Sequence, residues 1–341
     1  MATLDEIVNV QIQLNTTAVG RADFGTLLII GKADEKNRAG SVITVNNTAG
    51  LKSITDELTK AAVTVALSQN PKPLKVKVGF VTNPEAVTAA DLQAILATDQ
   101  QWYFLGLAAS NQHQLVLAKA VEATDKMLFL TCGDLSFAKQ CQTAGLYRTA
   151  LVVGGVNVGI ALAVRGGSYR AGSETFALKQ LAGVEPATVS AQQEQEYVNA
   201  NVTVYGKYTD SIKLTKGGKV SGGEWIDVIR FRDWLVDTMR SDLVFMMINR
   251  GKLPYTDAGL EVIANTMIRS LEEGVSAGGI VDWTENTDGE TVRGYRVEVP
   301  RAADVSPNVK ASRVASVGFT AQLAGAVHAI IVSGNFQYDN I

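Results

Sequence analysis

The residues that most often catalyse reactions or bind metals are scarce in this chain. It has two histidines, His113 and His328, and two cysteines, Cys132 and Cys141. No Cys/His cluster has metal-ligand spacing, and the cysteines do not form a C-x-x-C pair, so no zinc site is expected. Because an unpaired cysteine usually behaves as a small apolar side chain, both are predicted to lie in the core. We therefore expect no metal and no cofactor.

One glycine-rich segment, Gly154–Gly159, follows a predicted strand and raises the question of a nucleotide site. Its sequence does not fit G-x-G-x-x-G, and it lacks the Lys-Ser/Thr that ends a P-loop. We interpret it as a strand-to-helix turn in which glycine allows close packing. The alternative function, a nucleotide- or small-molecule-binding α/β enzyme, rests on this turn and on the alternating architecture.

Other arrangements for catalysis have no better support. The sequence contains no G-x-S-x-G elbow, so a serine hydrolase is not indicated. Glu272 and Glu273 are neighbours on a predicted helix and point in different directions, as solvated surface carboxylates do. The chain is therefore not expected to be an enzyme.

Composition excludes several further classes of function. Among 341 residues, 31 Lys and Arg stand against 34 Asp and Glu, giving a net charge of -3 and no broad basic field for nucleic acid or anionic membranes. The 46% of hydrophobic residues are enough for a large core, in about two domains. The N-terminus has no signal-peptide pattern, and the most apolar run, Ala150–Val164, is too short to span a bilayer. We expect a protein made in the cytoplasm, without membrane insertion.

Short apolar runs alternate with helix-like stretches between Phe24 and Arg165, which indicates an α/β layer. The predicted strands are Thr26–Ile30, Leu74–Val81, Trp102–Ala108, Lys126–Thr131 and Thr149–Val153. The predicted helices are Ile54–Ser68, Ala89–Thr98 and His113–Ala123. Two of the strands are apolar on both faces, which favours a covered, parallel sheet.

The character of the chain changes after Gly166, where glycines, Pro186 and a polar run lead to a soft boundary near residue 190. Asn201–Tyr208 and Ser211–Leu214 are predicted to be exposed strands of a β-hairpin, with paired glycines as turns.

Two long helices are predicted in the C-terminal half. Trp225–Asn249 has a wide apolar face, and a second helix begins after Thr256, a suitable N-cap, and ends at Gly274. Trp225 and Trp234 are expected to anchor the core. Opposite the apolar face of the first helix lies a charged stripe, expected to be solvated or to meet a charged partner. The stripe consists of Asp227, Arg230, Asp233, Asp237 and Arg240.

Both ends of the chain have strand-like sequence without a neighbouring turn to pair it. Ile7–Leu14 alternates between apolar and polar residues, and Val327–Val332 is a short β-run. Eight strand residues span about 25 Å, long enough to reach another molecule. Both ends are therefore predicted to be strands donated elsewhere. The residues expected to make these inter-subunit contacts are Val8, Val10, Ile12, Leu14, Val327, Ala329 and Ile331.

A succession of ordered motifs marks the second half of the chain. In order, they are Gly172–Phe176, Lys179–Pro186, Tyr197–Val202, Gly223–Asp227, Arg232–Leu235, Leu253–Gly259, Leu323–His328 and Ile330–Gly334. Over roughly residues 170–341 this succession resembles the contractile tail sheath proteins of tailed, myovirus-type bacteriophages. Residues 24–165 are similar to them in general architecture alone.

The resemblance implies a structural protein of the virion tail. Six-membered rings would stack helically around a tail tube, and contraction would drive the tube through the host envelope for genome ejection. The implied partners are further copies of the chain, the tail tube protein, and the baseplate and tail terminator proteins. Members of the family join neighbours through N- and C-terminal β-arms, which agrees with the two unpaired strands. A helix of the C-terminal half would face inward, so the charged stripe is a candidate for contact with the tube.

The expected fold class is α/β (α+β overall). It comprises a layered α/β body, a β-hairpin with a two-helix C-terminal part, and exchanged arms at both ends. The expected divisions are an arm and linker at 1–23, an α/β domain at 24–190, a hairpin and two-helix region at 191–325, and an arm at 326–341. The chain is short for the family, which predicts a nearly minimal body. A tail-tube or other virion protein is a third interpretation, but the several helices disfavour a tube protein.

Overall fold

A computed structural model describes residues 24–331 of the chain. In this range an eight-stranded sheet has the order β2-β3-β1-β4-β5-β6-β7-β8. Its strands are β1 Leu27–Lys32, β2 Val42–Val45, β3 Val76–Val81, β4 Phe104–Leu107, β5 Met127–Thr131, β6 Thr149–Val153, β7 Thr203–Lys207 and β8 Lys213–Lys216. The six strands from β3 to β7 in this order are parallel, and β2 and β8 are antiparallel edges. The predicted α/β class is confirmed.

Helices cover both faces of this sheet. They are α1 Glu57–Leu67, α2 Ala89–Thr98, α3 Leu115–Glu122, α4 Leu135–Thr143, α5 Val158–Gly167 and α6 Ala191–Asn199. Alternate residues of β1 enter different cores, since Leu27 and Ile29 pack with α1 and α5, whereas Leu28 and Ile30 pack with the helices of the other face. Because both faces are covered, the central strands are apolar throughout.

The five strands and three helices predicted for the first half are all present, as β1, β3 to β6 and α1 to α3. The prediction missed β2, α4 and α6, and it implied α5 through the strand-to-helix turn without giving its bounds. The α5 helix is buried at nearly every position and has no polar stripe to reveal its period. The α6 helix has no fully buried residue, so its sequence has the polar pattern that is typical of a linker. Both predicted core cysteines, Cys132 and Cys141, are buried.

The hairpin is predicted to consist of two exposed strands, and the structure differs from this prediction. Its first strand, β7, pairs in parallel with β6 and is buried except at its last residue, and β8 then closes the sheet. This segment has buried apolar residues on both faces, with Val202 and Val204 on one face and Tyr205 on the other, because core lies on both sides of the strand. The sheet therefore continues past residue 190, and the hairpin belongs to the α/β layer.

The two predicted long helices are confirmed as α7 Ile226–Asn249 and α8 Asp257–Ser276, with Thr256 capping α8 through its hydroxyl. They enclose a separate core built on Phe231, Leu235 and Leu271. Small antiparallel pairs follow, formed by β9 Trp283–Glu285 with β10 Thr291–Arg293, and by β11 Tyr295–Glu298 with β12 Gly318–Ala321. A short helix, α9 Pro307–Ser312, lies between β11 and β12.

Within residues 24–331, none of the helices combines the length and apolarity needed to cross a bilayer. The same residues contain no group of three His, Cys, Asp or Glu side chains placed to hold a metal ion.

Candidate assembly surfaces

The first half of α7 docks on the α/β layer through a buried arginine. Arg230 is 3% exposed, and its guanidinium donates to the carbonyls of Gly166 and Gly167 at 2.9 and 3.1 Å. It also donates to the carbonyls of Tyr169 at 2.6 Å and Phe24 at 2.9 Å. Gly166 and Gly167 end α5, where unpaired carbonyls and the helix dipole favour a cation. Arg230 thus joins α7 to the sheet-covering helix.

A second buried contact lies one turn further along α7. The Asp233 carboxylate pairs with both terminal nitrogens of Arg148 and accepts a hydrogen bond of 2.7 Å from the Tyr103 hydroxyl. Arg148 and Tyr103 precede strands β6 and β4, so α7 crosses this edge of the sheet. Burial raises the pKa of Tyr103 well above its ordinary value, and the adjacent carboxylate adds to the effect, so the phenol remains a donor.

The charged stripe on α7 is therefore not one solvated face. Asp227, Arg230 and Asp233 lie against the subunit's own body, and Arg240 is exposed. Since an α-helix turns about 100° per residue, Asp233 and Arg240 lie within about 20° of each other around the helix, so position along α7 and not helix face separates the buried charges from the exposed one. Asp237 is half-buried, and Arg240 is the stripe residue that is exposed.

Asp227 lies beside the C-terminal segment of the chain. Burial raises the pKa of its carboxyl, and the nearby His328 imidazole and Lys179 oppose this rise. One carboxyl oxygen, Oδ1, is buried and has no hydrogen-bond partner among the described residues. The start of α7 is thus a partly buried polar site rather than a surface.

The second half of α7 presents apolar side chains that its own subunit leaves uncovered. Val236 and Met247, which belong to the apolar face predicted for this helix, are 48% and 64% exposed, and Val244 is 42% exposed. They border a groove of about 320 Å³ between α7 and β12. The groove is lined by Leu235, Val236, Met239, Arg240, Leu243, Val244, Met247 and Phe319. A contiguous exposed apolar surface of this kind is typical of an interaction site.

The C-terminal segment leaves the body next to this groove. Gln322 and Ala324 hydrogen-bond to the backbone of Val281, Gly294 and Gly279 at 2.7 to 3.0 Å. Residues 324–331 then form neither helix nor strand. Of the predicted arm residues here, Val327 is 75% and Ile331 96% exposed, and Ala329 is exposed as well. The arm residues predicted at the other end, Val8, Val10, Ile12 and Leu14, lie outside the described residues.

The glycine turn considered for a nucleotide is filled by the protein itself. The Gly155 amide donates to the Glu185 carbonyl at 2.7 Å, the Val158 amide to the Gly155 carbonyl, and the Gly159 amide to the Thr131 hydroxyl. A Cβ at Gly159 would lie 3.0 to 3.2 Å from the backbone of β5. The turn therefore needs glycine for helix-on-strand packing, as predicted, and these amides are already used.

Comparison with known proteins assigns the C-terminal part of the chain to a family. Residues 226–336 match the family model described as E217 tail sheath protein gp31-like, C-terminal domain. This range begins with α7 and contains the groove and the departing segment. We refer to residues 226–336, which this model matches, as the sheath domain. No curated protein sequence matches the chain.

Solved structures are similar in fold to almost the whole chain. The sheath of an extracellular contractile injection system, PVC, in its contracted state matches with a TM-score of 0.69 at 14% identity, covering 97% of each chain. The contracted helical sheath of the anti-feeding prophage matches with a TM-score of 0.69 at 13% identity, covering 97% of this chain and 99% of that one. A chain of the contracted anti-feeding prophage baseplate matches with a TM-score of 0.68 at 13% identity over 100% of both. Residues 24–331 thus share their fold with the sheath proteins of contractile injection systems.

Sequence reasoning located the sheath domain but not its inner contacts. Arg230 and Asp233 were grouped with surface charges because their spacing resembles that of a solvated stripe. A signal for burial was present, since Arg230 directly precedes Phe231 and both stand one turn from Trp234. Nothing local in the sequence indicates Arg148 and Tyr103, which the fold brings to Asp233 from far away in the chain.

Proposed function

We propose that this protein forms the contractile sheath of a phage tail. Six-membered rings stack helically around a tail tube, and their contraction drives the tube through the host envelope for genome ejection. The tail sheath domain and the sheath fold of the whole chain support this role. The chain is made in the host cytoplasm, becomes part of the virion tail, and acts as a structural element rather than as an enzyme.

The observation that carries the proposal is the exposed C-terminal segment. Val327, Ile330 and Ile331 are 75 to 96% exposed, in a stretch of the described range that forms neither helix nor strand. Apolar residues so exposed on unpaired backbone are suited to strand addition in another molecule, where main-chain hydrogen bonds provide affinity and side chains are buried. Each bond adds about 0.5–1.5 kcal/mol, and several arms per subunit multiply the effect.

The receiving site we propose is the free side of β12 in a neighbouring subunit. Within residues 24–331, β12 pairs with β11 along one edge, and three of its four residues are exposed. Phe319 of β12 lines the apolar groove along α7, so an added strand would cover both the edge and the groove. The N-terminal arm, with Val8 and Val10, is proposed to join a neighbour in the same way.

Such links remain attached while the globular bodies rotate, so a mesh of arms holds the lattice together during contraction. The energy for contraction is stored in the metastable assembled state, without a nucleotide. The other proposed partners are the tail tube protein, the baseplate and the tail terminator. Asp237 and Arg240 are the proposed tube-facing charges, since the rest of the stripe is turned toward the subunit's own body.

The test compares the full chain with chains lacking residues 1–15 or 326–341 by negative-stain electron microscopy and size-exclusion chromatography. The full chain should form rings, cylinders or striated tubes, and the shortened chains should melt cooperatively but not polymerise. A matched pair sharpens this: Ile331→Asp should abolish tubes, whereas Val156→Asp, at a site 78% exposed on the body, should not. Loss of the cooperative melt on shortening would show that the arms complete the subunit's own core instead.

A second candidate is the sheath of an extracellular contractile injection system, since the structures that match the whole chain include one. Particles that contain this chain can be purified, treated with nuclease and analysed for protected DNA. Protected genome-length DNA in a head joined to the tail supports the phage tail. Headless particles without DNA support the injection system.

A further inference from the structure

Beyond the backbone hydrogen bond of Ala324, one side chain of the C-terminal segment contacts a distant part of the body. Among residues 325–331, His328 is the residue whose side chain makes a hydrogen bond or a ring contact, and it is half-buried. Val327 before it and Ile330 after it are 75% and 82% exposed. Apolar side chains are usually more buried than polar ones, so a half-buried polar ring between exposed apolar residues is the reverse of the usual distribution.

The site that receives His328 is built from two separate parts of the body. The imidazole Nε2 lies 2.9 Å from the Thr175 hydroxyl, and the ring meets the Trp225 indole edge-on with centroids 4.7 Å apart. Trp225 is the residue before α7, and Lys219 lies over its ring at 4.9 Å. Thr175 also accepts a hydrogen bond of 3.4 Å from the Ala177 amide, which helps to orient the hydroxyl. Both partners are therefore held by the fold before the segment arrives.

We propose that His328 is a positioning residue that anchors the C-terminal arm to its own subunit and sets the direction in which the arm leaves. The segment is held at Ala324 by the Gly279 carbonyl and again at His328, so its path between these points is fixed. An arm that starts from a fixed point searches a smaller volume, which raises its effective concentration at the neighbour's strand edge. This inference rests on the proposed arm exchange and adds to it the residue that aims the arm.

The anchor can be measured without assembly, because the chain has two histidines. Histidine-labelled full-length protein, kept below its assembly concentration, should give two imidazole signals by NMR, assigned with His113→Gln. The His328 signal should be displaced by the Trp225 ring and should return to the position of a free imidazole in Trp225→Leu. A His328 signal already at the free position, and unchanged in Trp225→Leu, would overturn the proposal.

Assembly provides the second readout. His328→Ala should raise the protein concentration needed for half-maximal tube formation by about five-fold, as expected for one lost hydrogen bond per arm. His328→Gln, which keeps a polar group able to reach Thr175, should recover part of this loss, and His113→Ala should assemble like the wild type. An anchored imidazole with unchanged assembly in His328→Ala would refute the positioning role. If the chain lacking 326–341 still assembled, the arm exchange itself would fail, which is a different outcome.

Discussion

Single residues decide how α7 is attached to the sheet. Asp233 contacts two arginines that differ in burial: Arg148 is 15% exposed on its side chain, and Arg232 is 58% exposed. A buried pair leaves an uncompensated charge when one partner is removed, whereas a surface pair exchanges its partner for water. One carboxylate therefore allows both kinds of ion pair to be compared in the same protein.

Replacing the buried partner should be far more costly than replacing the exposed one. Arg148→Met should lower the free energy of unfolding by about 3 kcal/mol, because Asp233 stays buried beside Tyr103. Arg232→Met, the matched control, should cost less than about 1 kcal/mol. Urea unfolding measures both. Equal losses would mean that water reaches Asp233 and that the Arg148 contact is not a buried one.

The raised pKa of Asp227 predicts a pH-dependent stability. Burial disfavours the charged carboxylate in the folded state. The free energy of unfolding is therefore lowered at pH values above the folded-state pKa. This loss disappears below the ordinary pKa of 3.8, where the carboxyl is protonated in the folded and the unfolded protein alike. Asp227→Asn should therefore stabilise the subunit at pH 7, and the gain should vanish on acidification to below that value. Urea unfolding at both pH values measures this. Asp288→Asn, at an exposed hairpin position, is the control and should change little.

At the scale of elements, the junction of β10 and β11 holds the start of the C-terminal segment. Gly294 lies between these strands, donates to the Asp282 carbonyl at 3.0 Å and accepts from the Gln322 amide at 2.7 Å. It is buried, and a Cβ added there would overlap the Val281 carbonyl. Since the obstacle is backbone, it cannot move aside as a flexible side chain would. The close approach of three backbone segments is what requires glycine here.

Gly294→Ala should therefore separate these segments. We expect a loss of about 2 kcal/mol in unfolding free energy, as for other overpacked sites, together with weaker assembly because the exit of the arm shifts. Gly133→Ala is the control, since an added Cβ at Gly133 meets nothing within 4 Å. Thermal melting and electron microscopy measure the two effects. Wild-type stability and assembly of Gly294→Ala would show that the junction can accommodate an added methyl group.

At the scale of the whole molecule, Arg230 connects three parts of the chain. Its guanidinium binds carbonyls at the end of α5 and at Phe24, which begins the described range, while its backbone belongs to the sheath domain. The α/β layer and the helix pair are thereby held in one arrangement by a side chain in the interior.

Arg230→Met should loosen that joint. Several carbonyls lose a charged donor while they stay buried, so a loss of about 3 kcal/mol is expected, with faster hydrogen exchange around Phe24 and Tyr169. Arg240→Met, on the same helix but exposed, should change stability by less than about 0.5 kcal/mol. Calorimetry and hydrogen exchange mass spectrometry measure these changes. Similar effects of both substitutions would exclude a special role for Arg230 in the joint.

Local sequence pattern was enough for much of this protein. Apolar runs such as Thr149–Val153 identify central strands because burial on both faces leaves no polar alternation. Thr256 marks the start of α8 because a hydroxyl caps free amides. That Val327 and Ile331 belong to a strand donated to another molecule stays a prediction, and the structure shows both residues exposed. Order of motifs, rather than any one of them, identified the sheath domain.

Tertiary structure alone decided which charges are buried and where the hairpin lies. Arg230 and Arg240 have the same side chain on the same helix, and only the neighbours that the fold brings to them separate an internal joint from a surface charge. Likewise, β7 is a buried strand because β6 receives it, and His328 is held because Thr175 and Trp225 converge on it. Such contacts join residues far apart in sequence, whereas local periodicity reports only on near neighbours.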